Sequence, residues 1–298
     1  MVGTMIPDAV IEDVTVGLLR RATVDLPTDV EQTLRKAEGD ETDPLAKSEL
    51  RCVLDNSIAA REDGVPLCQD TGLPVFFILL GAHARTADLP GAIRRGVVRA
   101  TDELPLRPNA VHPLSRENTG TNTGQGVPHL IIELVPGRDD VELWAVPKGA
   151  GSENMSALAM LNPDDGEEGV ERFVVDTVLA AGGRPCPPTV VGVGIGGCAD
   201  EALLLARRAL LRTLGTPHDD PELGAFEHRC QERLNASGIG PMGLGGDTTV
   251  LAVHALSACC HTASLPVGVV VQCWADRRAG ARITADGAVV ELTGGLSL

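Results

Sequence analysis

The chain has 298 residues, enough for one large domain or two ordinary ones and for a substantial buried core. Its 25 basic and 41 acidic residues give a formal charge of −16, which opposes binding to nucleic acid and to anionic membranes. Tyrosine is absent and only four phenylalanines are present, so aromatic platforms for stacking bases are not expected. These features argue against nucleic acid and membrane partners, and any anionic ligand needs a local cationic pocket.

The amino-terminal residues contain neither a basic region nor a long apolar run. No segment approaches the roughly 20 apolar residues of a membrane-spanning helix. We therefore expect a cytoplasmic protein, in which the eight cysteines are reduced and some are candidate metal ligands. Four of them lie in helix-like stretches and are expected to be ordinary small core residues: Cys52, Cys230, Cys259 and Cys260.

Apolar residues at helical spacing predict that about the first 65 residues are mainly helical, with helices over 11–22, 30–37 and 44–63. The apolar run 73–80, bounded by glycines, predicts a buried strand, and a helix over 89–103 follows it. Residues 105–128 are crowded with Pro, Asn, Thr and Gly, which predicts a long loop of the kind that often carries function.

The strands predicted over 129–135 and 141–147 flank a Gly-Arg-Asp-Asp turn, which is the pattern of an antiparallel hairpin. Further elements are predicted in the rest of the chain: helices over 170–181, 200–214 and 221–237, strands over 189–193 and around Cys273, and a final hairpin ending near 292. Hairpins mixed with helices predict an α+β fold with mixed or antiparallel sheets. Since neither a repeat nor a clean boundary is visible, we predict a single domain over 1–298.

The segment Gly192–Gly197 matches G-x-G-x-x-G between a predicted strand and a predicted helix, the context of a dinucleotide-binding turn. It supports an alternative function, that of an NAD(P)-binding oxidoreductase. Against it, no clear second parallel strand ends in an acidic residue about 20 positions further on. The favoured interpretation is a tight strand-to-helix turn, whose amides could still hold an anion.

Three cysteines stand in settings where the backbone holds the thiol, because proline fixes φ and glycine permits unusual φ. They are Cys68 in Pro-Leu-Cys-Gln-Asp-Thr-Gly, Cys186 in Arg-Pro-Cys-Pro-Pro and Cys273 in Val-Gln-Cys-Trp-Ala-Asp-Arg-Arg. Paired C-x-x-C motifs are absent, which disfavours a structural zinc ribbon. Three thiolates on an iron-sulfur cluster would leave one iron open as a Lewis acid for loss of hydroxide. This pattern is typical of a dehydratase.

These motifs, with the loops 118–120, 148–154 and 240–246, together resemble class I fumarate hydratases over about residues 45–290. The length resembles the α subunit of the two-subunit form, fumarate hydratase or L(+)-tartrate dehydratase. In that family three cysteines bind a [4Fe-4S] cluster, and the matching positions are Cys68, Cys186 and Cys273. Cys198, in the glycine turn, stands where the family does not require a cysteine.

The resemblance also implies that Gln69, Arg107 and the loop around Gly151 face the substrate. A dicarboxylate needs a guanidinium and backbone amides to offset its charge, above all in an acidic protein. His261 matches an active-site histidine of the family, and Asp70 could orient it or relay a proton. The implied reaction is the reversible hydration of a small dicarboxylate to a 2-hydroxy acid, of the fumarate/malate or L-tartrate type.

Two features leave parts of this interpretation open. Asp247 stands where the family usually has lysine. If this side chain faces the pocket, the change from a cation to an anion leaves the identity of the substrate open. If it faces solvent, the change has little meaning for the substrate. The family's second domain is not recognised in the chain, which implies a separate β subunit and an assembly of two α and two β subunits. A third alternative is a non-catalytic scaffold that steadies a partner.

Overall fold

The computed structural model describes residues 5–296. Its helices are α1 (Asp8–Val24), α2 (Thr28–Asp40), α3 (Pro44–Asp63), α4 (Leu89–Glu103), α5 (Ala150–Glu153), α6 (Gly166–Ala181), α7 (Ala199–Ala209) and α8 (Pro221–Asn235). Its strands are β1 (Val75–Gly81), β2 (His129–Val135), β3 (Val141–Ala145), β4 (Ala157–Leu161), β5 (Thr189–Gly196), β6 (Val250–Ala258), β7 (Leu265–Gln272), β8 (Ala279–Ile283) and β9 (Val289–Leu292). The predicted α+β class is confirmed, and the three amino-terminal helices lie where they were expected.

The described residues form two compact units. The first contains the described residues of Met1–Pro27 together with Ser57–Gly149 and Arg277–Thr293. The second contains Thr28–Asn56, Ala150–Asp276 and the described residues of Gly294–Leu298. The single domain expected over 1–298 stays a prediction. No helix among residues 5–296 has both the length and the apolar character needed to cross a membrane.

The first unit is built on a five-stranded sheet with the strand order β2-β1-β3-β8-β9. Helices α1 and α4 pack against it, and their apolar faces form one core with the buried side chains of β1, β3 and β8. Helix α4 begins where Asp88 caps it, because the Asp88 carboxylate accepts a hydrogen bond of 3.0 Å from the N–H of Gly91. The sheet and its two helices fix the loops that leave the strand ends.

The hairpin predicted between residues 129–135 and 141–147 is wrong, because β1 lies between these two strands. β1 pairs in parallel with β2, where Val75 faces His129, and antiparallel with β3, where Phe77 faces Trp144. Every residue of β1 is apolar or glycine and most are buried, so this strand takes a neighbour on each side. The predicted turn therefore crosses the end of β1, and the N–H of Gly81 donates to the carbonyl of Asp140 over 2.9 Å. The final hairpin, β8 with β9, is confirmed.

The second unit is built on a four-stranded sheet with the strand order β4-β7-β5-β6. Valines on one face of the sheet form a core with α6 and α8. The other face is covered by α7, which approaches the sheet closely. A Cβ on Gly192 or Gly194 would overlap backbone carbonyl oxygens of α7, and Gly268 of β7 meets the same helix. Close packing of helix on sheet thus accounts for the first two glycines of the G-x-G-x-x-G segment.

Side chains of α8 cover the outer edge of β6. Three of them, one helical turn apart, bind the strand's backbone: Glu227, Gln231 and Asn235. The Nε2 of Gln231 donates to the carbonyl of Leu251 over 3.1 Å, and the Oδ1 of Asn235 accepts from the N–H of Val250 over 2.9 Å. These bonds satisfy groups that an edge strand would otherwise present to another chain.

Candidate active site

The turn that carries Cys68 is fixed through its backbone, while the thiol stays at the surface of the first unit. It connects α3 to β1, and the N–H of buried Leu67 donates to a carbonyl in the last turn of α1 over 2.9 Å. Gly72 has a φ of +85°, and a Cβ there would lie 2.7 Å from the carbonyl carbon of Pro147, so this position requires glycine. Cys68 and Gln69 are both exposed.

Asp70 is held by donors from three parts of the first unit. Its Oδ1 accepts from the N–H of Gly72 over 3.0 Å and from the Nδ2 of Asn109 over 3.1 Å. Its carbonyl accepts from the Nη1 of buried Arg277 over 2.7 Å. Gly149 leaves room for the Asp70 carboxylate and the Arg277 guanidinium, since a Cβ at Gly149 would lie 3.3 Å from both Asp70 Oδ2 and Arg277 Nη2. The carboxylate therefore has one defined orientation.

The predicted loop 105–128 brings Arg107 to the same turn. The N–H of Arg107 donates to the Oγ1 of Thr71 over 3.1 Å, and its carbonyl accepts from the Nδ2 of Asn122 over 3.1 Å. Asn122 is buried with a φ of +54°, and its Oδ1 accepts from the N–H of Asn109 over 2.6 Å. The side chain of Arg107 is exposed and forms no ion pair with any acidic residue in the described part of the chain. A fixed backbone thus presents an exposed guanidinium.

Asn109 and Arg277 were not singled out by the sequence, although both contact Asp70. Arg277 follows Cys273 by four positions within a motif that carries the resemblance, and this was the one signal that pointed to it. Asn109 lies in the predicted functional loop 105–128. The composition of this loop predicts that the segment carries function, but it does not indicate which of its residues do so. Asn122, which positions both Asn109 and Arg107, is likewise visible only in the structure.

Cys186 and Cys273 are brought together in the second unit. Cys273 directly follows β7, and the end of β7 lies beside the start of β5, which Cys186 precedes. The N–H of Trp274 donates to the carbonyl of Cys186 over 3.2 Å, and the N–H of Cys186 donates to the carbonyl of Gly183 over 3.1 Å. Cys186 has a φ of +56°, an unusual conformation for a residue other than glycine. The backbone on both sides of Cys186 maintains it.

The loop around Gly151 packs beside these two cysteines. A Cβ on Gly151 would lie 3.1 Å from the carbonyl oxygen of Arg184, two residues before Cys186. Its neighbour Ser152 is buried, and the Ser152 Oγ donates to the Oε1 of Gln272 over 3.5 Å. Three of the predicted site residues, Gly151, Cys186 and Cys273, therefore lie in one region of the second unit.

Residues 12–282 match the protein-family model described as Fumarate hydratase (Fumerase). The chain belongs to this family. The resemblance expected from the motifs is thereby confirmed.

Curated relatives agree with this assignment. A protein of Methanocaldococcus jannaschii, provisionally named L(+)-tartrate dehydratase subunit alpha, is 51% identical over 280 residues, which are 93% of this chain and 98% of the relative. The L(+)-tartrate dehydratase subunit alpha of Escherichia coli K12 is 37% identical over 262 residues, 88% of this chain and 86% of the relative. The protein of that name from Shigella boydii serotype 4 gives the same identity and coverage.

In this member of the fumarate hydratase family, His261 lies at the other end of the second sheet from Cys186 and Cys273. It is an exposed residue of the turn between β6 and β7, and its Nδ1 accepts from the N–H of Ala263 over 3.1 Å. β5 and β6 are parallel and β7 is antiparallel to them, so the turn and Cys273 are separated by the length of the strands. Eight residues of strand span roughly 25 Å. The structure does not bring His261 to these two cysteines of the same unit.

The remaining cysteines fall into two groups. Cys230 is buried in α8, and burial raises the pKa of its thiol to about 12. Cys52 is helical but exposed, and the helix expected at Cys259 and Cys260 is wrong, because these residues follow β6 in an exposed turn. Cys198 is exposed beyond β5, and the charge of Asp200 raises the pKa of its thiol. A raised pKa makes Cys198 a poorer metal ligand than an ordinary cysteine.

Asp247, at the position where the resemblance led us to expect a lysine, is bound to the start of α3. Its Oδ2 accepts from the Oγ1 of Thr42 over 2.5 Å and from the N–H of Thr42 over 3.1 Å. The side-chain hydrogen bond from Thr42, followed by that of its N–H, lowers the pKa of the Asp247 carboxyl. Its charge is therefore engaged within the second unit, at an exposed position.

The donor set of the three candidate ligands suits an iron-sulfur cluster. Cys68 and Cys186 are exposed, Cys273 is half-buried, and none of the three forms a disulfide. Thiolate sulfur is the usual protein ligand of such clusters. Among residues 5–296, no group of three or more His, Cys, Asp or Glu side chains is arranged as a site for a single metal ion.

Proposed function

We propose that this chain is the α subunit of a cytoplasmic hydro-lyase that adds water to, or removes it from, a small dicarboxylate of the fumarate/malate or L-tartrate type. The observation that carries the proposal is the hydrogen bond from the Trp274 N–H to the Cys186 carbonyl, because it sets two candidate cluster ligands side by side. The family and the relatives, whose names describe tartrate dehydratase α subunits, support the same reaction class.

We propose that Cys68, Cys186 and Cys273 hold a [4Fe-4S] cluster. Three thiol ligands match the chemistry of such a group and leave one of its four irons without a protein thiolate. When bound, the group supplies a Lewis acid for the substrate hydroxyl. The other tasks fall to side chains and backbone groups of the protein.

Arg107 and Gln69 are proposed to bind and orient the substrate. The Arg107 guanidinium can pair with a carboxylate through two parallel hydrogen bonds, and it has no competing acidic partner in the described part of the chain. In a chain of formal charge −16, such a local cation is needed to attract a dianion. Gln69, exposed in the turn beside Asp70, can donate its amide to a substrate oxygen. The backbone at Gly151 is proposed to contribute a further contact to the substrate.

Asp70 is proposed to hold or relay a proton. Asn109 binds the carboxylate and Arg277 binds the backbone carbonyl of Asp70, so the carboxylate is held in a defined orientation. The base that takes the proton from the substrate carbon is proposed to belong to the partner subunit. A catalytic role of His261 stays a prediction, and its position means that it does not act beside Cys186 and Cys273 of the same unit.

We propose that the partner is a separate β subunit, in an assembly of two α and two β subunits. The name subunit alpha, carried by relatives that this chain matches over most of their length, supports a second kind of chain. Hydratase turnover by the purified, cluster-loaded chain alone would contradict this part of the proposal.

The cluster is tested by anaerobic reconstitution with iron and sulfide. Broad visible absorption is expected in the wild type and lost in Cys68→Ser, Cys186→Ser and Cys273→Ser. Cys198→Ser is the matched control and is expected to keep the absorption. Equal loss in all four variants would overturn the ligand assignment.

The reaction is tested on the reconstituted αβ complex with malate, fumarate and L-tartrate, by following alkene or keto-acid formation. Turnover of one of them, lost in the three ligand variants, is the expected result. Turnover that survives all three variants would show that the cluster is not part of the catalytic site and that the scaffold alternative is correct.

A further inference from the structure

Glu41 is a buried carboxylate that accepts hydrogen bonds from several backbone N–H groups. It is 4% exposed, and no cation in the described part of the chain forms an ion pair with its carboxylate. Its Oε1 accepts from the N–H groups of Thr42 and Asp43, both over 3.1 Å. The N–H of Asp247 lies 3.0 Å from each carboxylate oxygen, and that of Thr248 lies 3.3 Å from Oε2. One side chain thus joins the start of α3 to a segment more than 200 positions away.

That distant segment is the glycine-rich loop 238–248, which is built to receive the carboxylate. Gly246 has a φ of +114°, and a Cβ there would lie 3.1 Å from Glu41 Oε2. Asp247 reinforces the junction, because its own carboxylate accepts from the hydroxyl and the N–H of Thr42. The loop and the start of α3 are therefore joined by bonds in both directions.

The same loop holds the backbone of Cys186 at its other end. The N–H of Met242 donates to the carbonyl of Pro187 over 2.8 Å. Gly243 packs on Gly183, where a Cβ on Gly243 would lie 2.7 Å from the Gly183 Cα. Gly183 in turn accepts the N–H of Cys186. The left-handed conformation of Cys186 is thus supported from the loop side as well as from Trp274.

We propose that Glu41 is a positioning residue for Cys186, acting through the loop 238–248. The inference rests on the proposed function, since it assigns Glu41 to the support of one proposed cluster ligand. A buried carboxylate that accepts several N–H groups is strongly oriented, and removal of one oxygen acceptor leaves buried donors without a partner. The attachment of the loop to α3 is then weakened to the bonds between Asp247 and Thr42, and so is the loop's support of the Cys186 conformation.

The test compares Glu41→Gln, Glu41→Asp and wild type as metal-free full-length chains. Native alkylation with iodoacetamide, followed by peptide mass spectrometry, gives the reaction rate of each thiol. In Glu41→Gln we expect the rate at Cys186 to change by about fivefold or more, the equilibrium effect of one lost buried hydrogen bond. The rate at exposed Cys198, beyond the other end of β5, is expected to stay at the wild-type value. Glu41→Asp keeps both acceptor oxygens and is expected to recover part of the wild-type rate.

Glu227→Gln is the matched control, since Glu227 is also a buried glutamate of the second unit that accepts a backbone N–H, that of Ala255. Its partners are Ala255 and Arg212, and none lies in the loop 238–248. It is expected to leave the Cys186 rate unchanged. If Glu41→Gln does not fold, Thr42→Val replaces it, because it removes only the exposed hydroxyl bond to Asp247. A smaller change at Cys186, of about twofold, is then expected.

Unchanged Cys186 reactivity in Glu41→Gln would overturn the inference. In Thr42→Val, where that variant replaces it, an unchanged rate would refute the coupling between the α3 junction and Cys186 on which the inference rests. The same holds for an equal change at Cys186 and Cys198, which would indicate general loosening. Reconstitution separates this failure from that of the proposed function. In one outcome, wild type forms a cluster, Cys186→Ser forms none, and Glu41→Gln forms a normal cluster and keeps wild-type thiol rates. This outcome refutes only the role of Glu41. If wild type forms no cluster, the proposed cofactor is refuted, and the thiol rates still decide whether Glu41 positions Cys186.

Discussion

Trp274 donates its backbone N–H to the carbonyl of Cys186 over 3.2 Å, although the two residues are 88 positions apart in the chain. The bond joins the turn after β7 to the turn before β5. It uses only backbone atoms, so neither the Cys186 thiol nor the Cys273 thiol takes part in it. Backbone groups therefore hold the turns that carry Cys186 and Cys273.

This relationship predicts that the thiols can be replaced without unfolding the protein. Cys186→Ser and Cys273→Ser, as metal-free chains, are expected to unfold within about 0.5 kcal/mol of wild type, because both variants keep the backbone bond between the two turns and replace a thiol by a hydroxyl of similar size. Urea denaturation followed by circular dichroism measures the difference. A loss of several kcal/mol would mean that the sulfur atoms themselves stabilise these turns, and loss of cluster could then not be interpreted as loss of a ligand.

A second prediction concerns the residues that fix Asp70. Asn109→Ala removes the donor to Asp70 Oδ1, and Arg277→Lys replaces a guanidinium that is 3% exposed and bound to the Asp70 carbonyl. Each is expected to lower kcat of the reconstituted complex by about 10²-fold, through misplacement of the carboxylate. The visible absorption of the cluster is expected to stay unchanged, which separates loss of catalysis from loss of cofactor.

Asn162→Ala is a control for this pair, since Asn162 is an exposed asparagine of the second unit. It is expected to keep the wild-type kcat. Wild-type kcat in both Asn109→Ala and Arg277→Lys would show that the orientation of Asp70 has no part in the reaction.

The elements of the fold could be predicted well from the sequence, but their neighbours could not. Apolar spacing located α1, α3, α4 and the strands β1 and β2, because burial imposes the period of each element on its own residues. The order of strands in a sheet depends on contacts between elements that are distant in the sequence. The local pattern of apolar residues therefore does not predict it. The apolar strand β1 therefore separates two strands whose turn predicted a hairpin.

The site divides in the same way. The backbone demands of Cys68 and Cys186, a required glycine in one turn and flanking prolines in the other, are local and visible in the sequence. The contact of Arg277 with Asp70 joins residues 207 positions apart, and the support of Arg107 by Asn122 joins two residues of one loop by a side-chain bond. Such contacts are set by the folded path of the chain, which local spacing does not determine.

A third prediction separates packing from nucleotide binding at the G-x-G-x-x-G segment. Gly194→Ala places a methyl group where the carbonyl oxygen of Ala202 lies, so α7 has to move away from β5. We expect a loss of about 1–3 kcal/mol in the free energy of unfolding, the usual effect of overpacking. Gly39→Ala is the control, because a Cβ at Gly39 in α2 meets no atom within 4 Å and alanine favours a helix. Equal stability of Gly194→Ala and wild type would refute the packing role and restore the case for a ligand at this turn.

The last prediction follows from the pKa of Asp247, which the hydrogen bonds from Thr42 hold below the ordinary value of 3.8. A carboxyl whose pKa is lower in the folded protein stabilises the fold above its unfolded pKa, and this stabilisation is lost as the pH falls through the folded pKa. Between about pH 5 and pH 3, the melting temperature of wild type is therefore expected to fall more steeply than that of Asp247→Asn. Thr42→Val, which removes the hydroxyl donor but keeps the carboxylate, is expected to lie between the two. Identical slopes for the three proteins would mean that the bond between Thr42 and Asp247 does not stabilise the junction of α3 with the loop 238–248.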